Sequence, residues 1–316
     1  MLLGHENAWR EWRTALGGDR MHHAWLLAGR RGVGKGSFAL AAARELVGAS
    51  PSDDSEHHPD IITLTYGPKD DKEERKRADG KPFELARSIR IAQIRAMQAR
   101  LSTRPTMGDK RAIIIDPSDD LERNAANALL KSLEEPPAGT YFLLVAHSPA
   151  RLLPTIRSRC RVLRFPTVTD GEMDRLLREL SPNADDATRA AAIAAAAGSP
   201  GAAVQFVDME LGKVSQGMRD ILERGDPDFQ LRGTLAGLIG ARPDRERIRA
   251  VLELARSVVA ERLDRVSDPR PVIDAHSELV RLAGEQPTYN FDAGLLAMEI
   301  GTLLANAAKA SERANV

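Results

Sequence analysis

Apolar positions follow two rhythms along this chain. Up to Pro166, short unbroken apolar runs alternate with stretches in which apolar residues recur every three or four positions. The runs Ala24–Ala28, Ile61–Leu64, Ala112–Ile115, Tyr141–Ala146 and Val162–Phe165 have the length and β-branched content of strands buried on both faces. Between them the helical period places Trp9, Trp12 and Leu16 together in residues 5–17. It does the same for Ile91, Ile94, Met97 and Leu101 in 88–101, and for Ala126, Leu129, Leu130 and Leu133 in 124–134, a segment that Pro136-Pro137 stops. A further helix is expected over 37–47, ending near Gly48, with one helical turn around Leu152-Leu153-Pro154. Strands that alternate with helices in this way predict an α/β fold built on a mostly parallel, doubly wound sheet.

Beyond Pro166 only the helical rhythm survives. Met173, Leu176, Leu177 and Leu180 form one stripe in 170–180, and an alanine-rich helix over 188–197 is broken by Gly198-Ser199-Pro200-Gly201. Further helices are expected over 247–265, 271–283 and 291–309. Two polar stretches in the first half carry no period. Residues 49–60 read as a solvated loop, and the mixed-charge run 68–82 reads as an exposed, mobile loop. The adjacent His57-His58 pair belongs to that solvated loop and is no metal site, because adjacent side chains rarely converge and no cysteine stands near them.

Composition narrows the function classes. The 316 residues allow two or three domains, and 45 basic against 45 acidic residues leave no net charge, so any nucleic-acid contact must be local. Arg90, Arg95 and Arg100 could supply one, although a solvated helix face accounts for them as well. Cys160 is the sole cysteine, which excludes an internal disulfide and suits a reducing compartment. The first residues, MLLGHENAWREW, carry charges where a signal peptide is apolar, and no apolar run of about 18 residues exists, so a soluble, cytoplasmic protein with no membrane contact is expected.

The candidate chemistry begins at Gly29–Ser37, GRRGVGKGS, between the first strand and a helix. Glycines there let successive N–H groups converge on phosphate oxygens, the helix N-terminus adds its positive end, and a lysine adds a point charge. Gly29, Gly32, Gly34 and Lys35 fit those roles. The hydroxyl that should follow the lysine to hold Mg²⁺ is missing, since position 36 is glycine and Ser37 comes about 100° further round the helix. A second nucleotide signature, a strand ending in Asp116, is followed by Pro117 where a water-orienting glutamate is usual.

Together, the Gly29–Ser37 loop, the strand to Asp116, the run Asn127-Ala128-Leu129-Leu130-Lys131-Ser132-Leu133-Glu134-Glu135-Pro136-Pro137 and the triplet Ser158-Arg159-Cys160 resemble the clamp-loader branch of the AAA+ ATPases. His22-His23-Ala24-Trp25-Leu26-Leu27 and Ala197-Gly198-Ser199-Pro200-Gly201-Ala202-Ala203 extend the resemblance over about 20–205. They point to the clamp-loader subunit whose own nucleotide site is usually described as defunct. The resemblance implies a RecA-like domain over 1–166, a helical lid over 167–208 and a helical collar over 209–316. It also implies that Arg159 acts in trans, as an arginine finger on a neighbouring subunit's ATP. Taken alone, Arg159 reads as a salt-bridged surface residue after a strand.

Three departures fall in one site. Gly36 and Pro117 are two, and Gly201 stands where active relatives carry a phosphate-contacting arginine. The polar γ-phosphate sensor expected around Ala146-His147-Ser148 is absent or altered. A vestigial nucleotide site, no required cofactor and doubtful ATP binding follow as expectations. No zinc is expected either, because residues 48–60 lack the cysteines of the zinc module that many relatives carry. The implied partners are the ATP-binding gamma/tau subunits and the delta subunit of a loader, with a sliding clamp and primed DNA reached through the complex. The competing reading is an active P-loop motor, for which Lys35 and Asp116 are the best support. A stand-alone DNA-binding protein is the third.

Overall fold

A computed structural model describes residues 5–18, 20–49, 58–286 and 291–308. The chain divides into two compact units, Met1–Thr167 and Val168–Val316. In the first, strands β1 (Ala24–Ala28), β2 (Ile61–Leu64), β3 (Arg111–Ile115), β4 (Thr140–Ala146) and β5 (Arg161–Arg164) form a sheet in the order β2-β3-β4-β1-β5. Every pairing is parallel, with Ala24 opposite Phe142 and Trp25 opposite Arg161. The doubly wound parallel sheet expected from the alternating pattern is present. β1 and β3 are buried at every position because both faces are covered, and apart from Arg111 every residue in them is apolar.

The period of two along each strand sorts side chains between those faces. Leu26, Ile113, Ile115, Phe142 and Leu144 pack with helices α4 (Ile91–Leu101) and α5 (Arg123–Glu134). Trp25, Leu27, Ile114, Leu143 and Val145 pack with α1 (Glu6–Leu16) and α2 (Lys35–Val47). On this second face Trp12 stands edge-on to Trp25 at 5.4 Å, and Phe38 stands edge-on to Phe165 at 5.0 Å. These rings seal α1 and α2 against the strand from which the Gly-rich loop departs.

The charged run differs from its expectation. Within it α3 (Asp71–Ala78) is a helix, although it has no apolar face. Its stability is polar. Asp70 caps the N-terminus by accepting from the N–H groups of Lys72 and Glu73, acids fill the first turn and bases the last. Glu73 is buried; its carboxylate accepts from Lys76 Nζ at 2.7 Å and from the Glu84 N–H at 2.7 Å, which ties the helix to the returning chain. Most of loop 49–60, including His57, lies outside the described residues.

The short α6 (Pro154–Arg157) precedes β5 and closes the first unit. The second unit is helical throughout its described residues: α7 (Asp170–Leu180), α8 (Asp186–Ala196), α9 (Pro200–Asp208), α10 (Gly212–Arg224), α11 (Gln230–Ile239), α12 (Arg245–Ala260), α13 (Arg270–Glu285) and α14 (Ala293–Ala307). One apolar cluster runs from Val168 to Ala307 through Met173, Phe206, Met218, Val251, Leu279 and Leu304. The expected helix over 247–265 ends at Ala260, with a 3-10 turn over Leu263–Arg265. α11 escaped the pattern because Gly233 and Gly237 dilute its apolar stripe. Arg247 secures the ends of α9 and α11 by donating to Met209 O, Leu238 O and Ile239 O. Gly198, at φ +77°, supplies the left-handed step between α8 and α9, and Ser199 then caps α9.

Candidate functional site

Parallel strands bring their C-terminal ends to one edge of the sheet, and three expected features meet there. The Gly-rich loop follows β1, Asp116 follows β3 and His147 follows β4. Gly32 and Gly34 have φ of +78° and +94°, the left-handed geometry that turns the loop into α2, and Gly34 is the residue that caps this helix. Gly29 is needed for a different reason: a Cβ there would lie 2.3 Å from the carbonyl oxygen of Phe165. His5 pins the loop from outside by donating from Nε2 to Val33 O.

Lys35 is buried, and its ammonium donates to Gly29 O at 2.7 Å and Arg30 O at 2.5 Å, both within the loop itself. Burial pulls its pKa down to about 8, while the charges of Asp116 and Asp119 act in the opposite direction. Burial likewise pushes the Asp116 carboxyl above its ordinary range, and Lys35 and then Arg31 oppose that shift.

Position 36 does more than lack a hydroxyl. A Cβ built on Gly36 would stand 2.6 Å from Asp116 Oδ2, so the carboxylate occupies the space where a metal-holding side chain would begin. Ser37, the later hydroxyl, is exposed. His147 Nε2 lies 4.0 Å from Asp116 Oδ1, in the segment where the resemblance leads one to look for a sensor.

Asp119 is a site residue that the sequence gave no reason to pick. It is buried and accepts the N–H groups of His147 (3.1 Å) and Ser148 (2.7 Å), fixing the turn after β4. Beside it Ser118 Oγ donates to Val145 O at 2.9 Å. The only available signal was a second acid three residues after Asp116, and many solvated turns share that.

Arg159 belongs to the opposite edge. It lies between α6 and the start of β5, whereas the loop leaves the far end of the neighbouring strand β1. With Trp25 in register with Arg161, the two features are on the order of 15 Å apart along the strands. Its guanidinium donates to Thr155 O at 2.9 Å through Nη1 and meets Glu134 Oε1 at 2.6 Å through Nη2. The side chain remains 35% exposed, enough to present a face to solvent. Cys160 packs against the core with its thiol pushed up to about 12 by burial, which is inert packing rather than nucleophile chemistry.

The arginines considered for DNA contact are partly occupied. Arg90 is the residue before α4 and donates to Lys69 O, and Arg100 donates to Pro59 O at 3.1 Å. Among the described residues no cluster of three or more His, Cys, Asp or Glu could hold a metal ion. Among the same residues no helix is long and apolar enough to cross a membrane.

A sequence profile described as DNA polymerase III, delta subunit, matches residues 4–169, more than half of the chain. The chain belongs to the DNA polymerase III delta subunit family. Within this family it is of the delta-prime type. It is 34% identical over 161 residues to the DNA polymerase III subunit delta' of Pseudomonas aeruginosa, covering 46% of this chain and 44% of that protein. To the delta' subunit of Bacillus subtilis it is 35% identical over 179 residues, covering 52% and 49%. The chain spans about half the length of the curated relatives it matches. A DNA polymerase III gamma subunit-related protein from Thermotoga maritima superposes with a TM-score of 0.56 at 15% identity, over 96% of this chain and 99% of that one. This likeness fixes the fold as the RecA-like α/β domain with a helical C-terminal region. The delta-family match covers both edges of the sheet, the Gly-rich loop and Arg159 alike.

Proposed function

We propose that this delta-family chain is a clamp-loader subunit that hydrolyses no ATP itself and lends Arg159 to the ATP site of a neighbouring subunit. Its place would be beside the gamma/tau subunits and the delta subunit of DNA polymerase III, in a cytoplasmic complex that loads a sliding clamp on primed DNA. Residues 167–208 would serve as the lid and 209–316 as the collar contact.

The observation that carries the reading is the separation of Arg159 from the chain's own Gly-rich loop by the length of the sheet. A partly exposed guanidinium at that edge is out of reach of its own site and available to a neighbour's. There its rigid, always-charged fork would stabilise charge developing on a γ-phosphate. The home site supports the other half of the reading. Gly36 offers no hydroxyl, Asp116 crowds the vacated space, Lys35 is spent on loop carbonyls, and Pro117 can neither orient nor deprotonate water. These residues do not fit a magnesium nucleotide.

The test is Arg159→Ala in the complex reconstituted with its partner subunits, the other ATP sites being silenced. Assembly should be intact, and DNA-stimulated hydrolysis at the neighbour's site should fall on the order of 10³-fold. Unchanged hydrolysis would remove the finger. The competing reading is a working motor, for which Lys35 and Asp116 at the same edge of the sheet are the residues to use. Steady ATP turnover by the isolated chain would select it.

A further inference from the structure

The ion pair between Glu134 and Arg159 joins two of the segments most characteristic of this sequence, the last turn of α5 and the triplet before β5. Glu134 Oε1 and Arg159 Nη2 are 2.6 Å apart, with 49% and 35% of their side chains exposed. A half-exposed pair of this kind contributes little to stability, so stability does not explain it. Its geometry does more. Thr155 O takes Nη1 at the C-terminal end of α6, Glu134 takes Nη2, and the fork is held at two points while its remaining N–H groups stay available. His23 Nε2 donates to the backbone carbonyl of Leu133, the residue before Glu134, at 2.9 Å, which ties down the end of α5. A chain of contacts therefore runs from the entry of β1 through the end of α5 to the guanidinium.

We propose that Glu134 is a positioning residue for Arg159. It holds the guanidinium in one orientation before any neighbour is met, so the ordering of a long side chain is not charged to the transition state. This rests on the reading of Arg159 as a finger in trans. It adds that the acid of the α5 terminus, which touches no substrate, sets the rate through the arginine.

In the reconstituted complex with the other ATP sites silenced, Glu134→Ala should lower kcat for DNA-stimulated hydrolysis about three- to tenfold and leave KM for ATP unchanged. Glu134→Gln keeps an acceptor for Nη2 and should stay within about twofold of the parent. Glu134→Ala combined with Arg159→Ala should be no slower than Arg159→Ala alone, since one residue acts through the other. Thermal melting of each variant and size-exclusion of each complex control for folding and assembly. The inference is overturned if Glu134→Ala matches or exceeds the parent rate, if Gln rescues nothing, or if the two losses multiply. Should Arg159→Ala alone leave hydrolysis unchanged, the finger reading itself fails and this inference falls with it, a result distinct from the other three.

Discussion

Gly29 and Gly48 are both glycines at the ends of elements, and they are required for different reasons. At Gly29 the obstacle is backbone: an added Cβ would meet Phe165 O at 2.3 Å, and Phe165 is itself held in place by its N–H donating to Ala28 O. At Gly48 there is open space, but φ is +69°. Gly29→Ala should therefore destabilise the first unit by about 3 kcal/mol and Gly48→Ala by about 1 kcal/mol. Urea unfolding followed by tryptophan fluorescence reads both, since Trp12 and Trp25 are fully buried in that unit. Equal losses would mean that the Phe165 contact yields. That Gly32 and Gly34 would turn the loop was readable from residue type. That Lys35 turns back on the carbonyls of its own loop was not, because it depends on what Asp116 and Gly36 leave it to face.

Among the elements, those with an apolar period were predictable and α3 was not. Strands β1, β3 and β4 announce themselves as apolar runs, and α4 and α5 as stripes, because burial against a sheet imposes a period on the sequence. α3 buries almost nothing apolar. It persists on a cap, on charges matched to the helix dipole and on the buried carboxylate of Glu73, and those are contacts between residues as distant as Glu73 and Glu84. Asp70→Ala removes the cap and should cost about 1 kcal/mol locally. Amide exchange over 71–78 should speed up while the β1 and β4 amides keep their rates. Unchanged exchange in α3 would show that Glu73 alone suffices.

At the scale of the whole molecule, among the described residues each unit carries one histidine whose pKa burial lowers from 6.5. His23 sits in the first and His276, which also feels Arg256, in the second. The native state therefore binds fewer protons than the unfolded state near and below that value. The stability concerned is complete above 6.5 and is lost as pH falls through the lower native pKa values. Melting temperature should drop between about pH 7 and pH 5, and the double variant His23→Gln, His276→Gln should flatten that drop. A slope identical in the variant would assign the effect to other groups.

Hydrophobic period and the glycines of the loop determined the fold class, the strands and the loop residues, because burial and local turn geometry act on neighbours in sequence, whereas the LLKSLEEPP and SRC segments pointed to Arg159 only through their resemblance to a family. Only the tertiary structure decided which of those residues face one another. Gly36 against Asp116, Gly29 against Phe165 and Glu134 against Arg159 are meetings between distant segments, set by the register of parallel strands and the helices packed on them. The same register puts the Gly-rich loop and Arg159 at opposite ends of the sheet, since parallel strands gather all their C-terminal ends on one edge and leave the residues before them on the other.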